Sequence, residues 1–125
     1  MANPNIVNVT TIYGNSSSTS LTTTNATSLV SNAASSGKVF KINSIVVANV
    51  DGTSAADITI NVYSQAALGG TAFPIASTIS VPADATLIVT DKTTSFYLLE
   101  NQSIGATAGS ASDLVVTASW EEINS

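Results

Sequence analysis

Apolar residues recur at every second position along most of the chain, the period of a strand and not of a helix. Residues 57–64 show it best. Ile58, Ile60 and Val62 fall on one face, and Asp57, Thr59, Asn61 and Tyr63 on the other. Residues 113–121 repeat the arrangement, with Leu114, Val116, Ala118 and Trp120 opposite Thr117, Ser119 and Glu121. This alternation predicts strands with one buried face, and it makes Trp120 an expected core anchor. A weaker alternation at Ile75, Ser77, Ile79 and Val81 stops at Pro82. Further strands are expected over 6–13, 21–30, 39–49, 86–90, 95–100 and 104–108. Between them, Asn49-Val50-Asp51-Gly52 should close a hairpin, with Gly52 free to take a positive φ. Pro82-Ala83-Asp84 and Asp91-Lys92-Thr93 read as turns, and 69–74 as the end of a longer loop. About eight short strands without a helical window predict an all-β fold, an antiparallel β-sandwich of jelly-roll-like form.

Two segments depart from this pattern. In 39–49 the face with Phe40, Ile42, Val46 and Ala48 reads as core, yet the opposite face turns from Lys41 and Asn43 to Ile45 and Val47. A bulge near Ser44 would shift the phase and bury that second face within the domain. Otherwise another chain, or the N-terminal arm, covers it. Residues 14–28, by contrast, are poor in apolar residues and rich in Ser and Thr, which suits a surface loop and an edge strand. Residues 1–13 are then either an edge strand or an arm that joins a neighbour by strand addition. The candidate interface residues from these readings are Ile6, Val7, Val9, Ile45, Val47 and Phe73.

Composition narrows the function. The chain has 125 residues, enough for one domain spanning 1–125. Hydrophobic residues make up 44% and charged residues 9%, with mean hydropathy +0.34, so the chain can fold around a core. Net charge is −5, and the cations are Lys38, Lys41 and Lys92 alone. Three lysines without arginine cannot neutralise a run of phosphates, which argues against nucleic-acid binding and against binding to acidic membranes. No stretch is as long and apolar as a membrane span, and the first residues lack the pattern of a secretory signal, so synthesis in the cytoplasm is expected.

The residues also argue against enzyme chemistry. Histidine and cysteine are both absent. That removes the commonest general base and metal ligand, all thiolate chemistry, any disulfide and any Ser-His-Asp arrangement. No phosphate-binding glycine motif occurs, and Gly69-Gly70 alone reads as a flexible loop. The carboxylates Asp51, Asp57, Asp84, Asp91, Glu100, Asp113, Glu121 and Glu122 are spread over turns and strand ends, where solvated acids belong. Asp51 beside Gly52 lacks the ligand spacing of a calcium loop. No catalytic residue, cofactor or metal is expected. Asn-x-Ser/Thr triplets at Asn8, Asn15, Asn25 and Asn101 are what chance gives in so Asn-, Ser- and Thr-rich a chain.

One resemblance adds to this. Residues 95–104 (SFYLLENQSI) running into 112–123 (SDLVVTASWEEI), with 39–45 (VFKINSI) and the following 49–60 segment, resemble small virion structural proteins of tailed bacteriophages, particularly those of marine cyanobacterial phages. The resemblance covers roughly two thirds of the chain and brings no catalytic residues. It implies a capsid decoration (cement) protein on the virion surface, bound to the major capsid protein as a homo-trimer and stabilising the head. The alternatives are a tail, neck or fibre accessory protein, or a carbohydrate-binding adhesin module using exposed aromatics such as Tyr13, Tyr63 and Phe73.

Overall fold

The alternating segments do become strands. The structure, a computed structural model, describes residues 4–124, which hold nine strands: β1 (Thr11–Ser20), β2 (Thr27–Asn32), β3 (Lys38–Asn49), β4 (Ala56–Gln65), β5 (Gly69–Val81), β6 (Thr86–Thr90), β7 (Phe96–Leu98), β8 (Gln102–Ala108) and β9 (Leu114–Asn124). One antiparallel sheet runs β1-β9-β3-β6, with β7 also on β3, and the other runs β2-β8-β4-β5. Except at β4–β5 and β6–β7, consecutive strands change sheet, and this order is that of a jelly roll, with β7 added to the eight strands of the roll.

The core lies between the sheets. Ile58, Ile60, Ile104 and Ala106 of one sheet and Ile42, Ile45, Val47, Val116 and Ala118 of the other are fully or almost fully buried in one cluster. Full burial of each large side chain stabilises the fold by about 1.5–3 kcal/mol. Trp120 sits on the predicted inner face but is only half-buried, packed against the end of the cluster.

Several expectations are corrected. Asn49 to Gly52 does not close a hairpin: β3 and β4 belong to different sheets, and the segment arches between them. Asn49, 3% exposed, makes that arch by donating from Nδ2 to the carbonyls of Ser54 and Val81 at 2.9 Å each. Gly52 is not among the residues of positive φ. The hairpin within a sheet is β4–β5, so Gly69 to Pro74 is strand and not loop. The first strand begins at Thr11, not at residue 6, and β2 begins at Thr27, not at residue 21. Ser16 to Ser20 therefore lie in an edge strand.

The mixed pattern of 39–49 also resolves. The β3–β9 register slips between Ile42 and Ser44, so Asn43 is the extra residue of a bulge. Its side chain donates to Glu121 Oε1 at 3.2 Å. Inward-facing parity therefore passes from Ile42 to Ile45 and Val47, while Val46 and Ala48 turn outward and are half-buried. Ile45 and Val47, both 0% exposed, belong to the core of their own chain and are withdrawn as interface candidates.

Candidate assembly surface

The remaining interface candidates lie apart. Asn5 holds a turn before β1: its Oδ1 accepts from Val7 N at 3.0 Å, and its carbonyl accepts from Asn8 N at 3.1 Å. This turn leaves Ile6 half exposed and Val7 91% exposed, with Val9 half-buried. Thr10 N then donates to Asn124 O at 2.7 Å and leads the chain into β1. Residues 1–3, the start of the expected arm, lie outside the described residues. Phe73 is on β5, opposite Val62 and 57% exposed. β1 closes one side of its sheet, whereas β5 touches β6 on the other flank, so the structure does not join Phe73 to Ile6 and Val7.

Sequence reasoning missed most of the exposed apolar side chains. Ile75 and Ile79 accompany Phe73 on β5, and Ile88 lies on β6. Ile75 and Ile79 were expected inside because they alternate with polar residues, whereas Ile88 pairs with the outward-facing Val46. At a sheet edge, however, the inner face extends past the opposing sheet and stays open. The register of β5 also breaks three times against β4, and Thr78 takes φ 49° within the strand. Such breaks dissolve a strict period of two.

The tip of the β4–β5 hairpin folds back over the outer face of its sheet. Ala67 and Leu68 both adopt the left-handed conformation, with φ 56° and 60°. Three successive backbone N–H groups are met by side chains from β2 and the β8 region: Ala66 N donates to Asn101 Oδ1, Ala67 N to Ser31 Oγ and Leu68 N to Ser103 Oγ, at 2.9–3.1 Å. Ser103 Oγ in turn donates to Gln65 O at 2.8 Å and is fully buried. Gly105 makes the fold-back fit, since a Cβ there would stand 2.7 Å from Leu68 Cδ2 and 3.0 Å from Tyr63 Cε2.

Charged groups tie strands and turns together. Lys38 on β3 forms an ion pair with Glu122 on β9, whose other oxygen accepts from Asn15 Nδ2 on β1 at 3.5 Å. Asp51 and Asp91 are held below the usual carboxylate range. For Asp51 the backbone N–H of Thr53 contributes most and then the Thr53 hydroxyl; for Asp91 the Thr93 hydroxyl comes first and its N–H second. Asp91 caps the short 3-10 turn at Lys92–Thr94. Among the described residues no three carboxylates gather where they could hold a metal ion, and the surface has no enclosed cleft. What the arrangement offers is edges, flanks and faces for protein contacts.

Comparison with known proteins places the architecture. No protein-family profile matches the chain, and no curated protein matches it in sequence. Among solved structures it is similar to a chain from Bacillus endospore appendages, described as a novel family of disulfide-linked pili. The TM-score is 0.54 at 18% identity, over 92% of this chain and 90% of that one. It is also similar to a chain in the structure of infectious bursal disease virus Gx strain, at TM-score 0.47 and 12% identity, covering 91% of this chain and 33% of that one. At these identities the likeness is one of fold. The chain has no cysteine with which to form a disulfide link.

Proposed function

We propose that this chain is a non-enzymatic structural subunit of a multi-copy assembly, and specifically a virion protein that decorates a phage capsid. The reading is carried by the surface. Only 9% of residues are charged, yet Phe73, Ile75, Ile79 and Ile88 expose large apolar side chains on neighbouring strands of one flank. Apolar exposure of this kind marks a surface made to be covered by protein. The β5–β6 flank then binds the major capsid protein, and the turn at Ile6 and Val7 docks as an arm on the same partner. Many copies, associated as homo-trimers, bridge neighbouring capsid subunits and oppose the pressure of packaged DNA.

Copy number in purified virions tests this. Quantitative mass spectrometry should find hundreds of copies per particle, and absence from virions would overturn the reading. A dozen copies or fewer would favour the second reading, a tail or fibre accessory, which the fold likeness to a pilus chain supports. A glycan-binding module is less favoured, because the exposed aromatics Tyr13, Phe73 and Tyr97 sit on three separate strands.

A further inference from the structure

Each sheet of the sandwich has two edges, and three of the four are broken. β5 carries Pro74, three register shifts and the left-handed Thr78. The edge along β3 is divided between the five-residue β6 and the three-residue β7, with a 3-10 turn between them. β2 has six residues and a register shift at Leu29. Breaks, prolines and short strands are the means by which proteins stop edges from pairing with other chains. β1 has none of them. It pairs with β9 over ten residues without a shift, and Thr11–Ser20 (TIYGNSSSTS) contains no proline and no charged residue.

The direction of its hydrogen bonds follows from the ladder. Leu21 N donates to Leu114 O in the same register, so the odd-numbered residues of β1 bond to β9. On the other side of β9, Val50 N donates to Asp113 O, which gives β9 the same alternation between its two neighbours. The N–H and C=O groups of Ile12, Gly14, Ser16, Ser18 and Ser20 therefore point away from the sheet. No other described strand meets them.

We propose that this edge pairs with the β1 edge of a second copy, antiparallel about a twofold axis at Ser16. Ile12 then faces Ser20 of the other copy and Gly14 faces its Ser18. All five outward residues of each copy are used, giving about ten backbone hydrogen bonds. The occupant follows from charge and symmetry. Two copies of net charge −5 repel, and of the two long edge strands, β1 and β5, both of which hold no carboxylate, only β1 runs without a register shift. Opposed Ser and Thr side chains suit such a pairing. Ile12, 54% exposed beside the buried Ile123, would be covered by it. A twofold pairing uses the edge in both copies, so the assembly closes instead of growing into a fibre.

The proposal rests on reading the chain as an assembly subunit, and it is tested on the isolated full chain. Light scattering across a concentration series should show a dimer, or a hexamer if trimers form through another surface. Ser16→Pro removes an outward N–H and no bond to β9, so it should keep the circular dichroism and melting of the parent. It should weaken association by roughly a hundredfold or more, leaving monomers or trimers. Because the chain has no native cysteine, Ser16→Cys and Ser18→Cys test the register: the former should form a disulfide dimer, whereas two copies of the latter stand roughly 13 Å apart along the strand and should not. A monomeric or purely trimeric parent, a dimer unaffected by Ser16→Pro, or equal cross-linking of both cysteine variants would overturn the proposal. Virion copy number is measured separately, so a monomer abundant on particles defeats the edge pairing alone, and a dimer absent from particles defeats the decoration reading alone.

Discussion

β1 and β5 are both long edge strands, and they handle the exposed edge in opposite ways. β1 is regular, uncharged and polar, with half-buried Asn15, Ser17 and Thr19 on the face that turns inward. β5 is apolar and interrupted, with Pro74, three register shifts and a positive φ at Thr78. The difference lies in which groups are on offer. A straight backbone offers hydrogen bonds to another strand, whereas a broken one with exposed Phe73, Ile75 and Ile79 offers side chains to a surface. One edge suits pairing and the other suits docking, and the sequence composition of each follows that division.

The largest effect is expected where β1 is attacked from its other side. Ser17 is an odd-numbered residue whose N–H bonds to β9 opposite Ala118. Ser17→Pro should therefore cost about 3 kcal/mol or more, seen as a large drop in the urea midpoint. Ser16→Pro, one residue away, should leave that midpoint close to the parent value. Equal destabilisation by both would show that the β1 edge is not free.

A smaller loss is expected where β5 is fastened to the rest of the roll. Asn49 joins the end of β3 to Val81 of β5, and its Oδ1 also accepts from Asp51 N at 2.9 Å. Asn49→Ala leaves the Ser54 and Val81 carbonyls and the Asp51 N–H without this partner, which should cost about 2–3 kcal/mol. Hydrogen exchange should quicken at the end of β5 while β1 stays protected. Gly105→Ala acts at the other end of β5 by pushing on Leu68 and Tyr63. It should cost about 1–2 kcal/mol and speed exchange of the amides of Ala66, Ala67 and Leu68.

This division was only partly legible in the sequence. β3, β4 and β6 were found nearly to the residue and β9 to within three residues, because each packs an apolar face on the core. The sheet order was not, since an Asn-x-Asp-Gly segment looks like a hairpin turn whether it joins neighbours or arches between sheets. What separates the two is the buried Asn49 side chain, a tertiary contact with Val81 far along the chain. Ile45 and Val47 were read as a second apolar face because a bulge shifts the phase by one residue without changing composition. The β1 edge left a different trace. Residues 14–20 hold no apolar residue, so the period of two had nothing to register there, and their Ser and Thr content suited a surface loop as well as an edge strand.

The smallest expected effect concerns acid, and it separates the β5 end of the molecule from β1. Asp51 accepts from the N–H and hydroxyl of Thr53 at 2.9 Å each, and its carbonyl accepts from Asp84 N in the turn after β5. Asp91 holds the turn after β6 in the same manner. Both carboxyls have folded-state pKa values lowered from 3.8, so the unfolded chain binds their protons first. Their contribution is fully present above the unfolded value and is lost as pH falls through the folded one. Stability should therefore decline below about pH 4 and level off once both groups are protonated. Asp91 is exposed and Asp51 lies partly exposed at the surface, so solvent screening keeps the decline small. Asp51→Asn combined with Asp91→Asn should flatten this acid limb of the melting curve series. Dimerisation through β1, which holds no titrating carboxylate, should stay unchanged over the same range; an acid loss of the dimer that survives both substitutions would place a carboxylate at that edge after all.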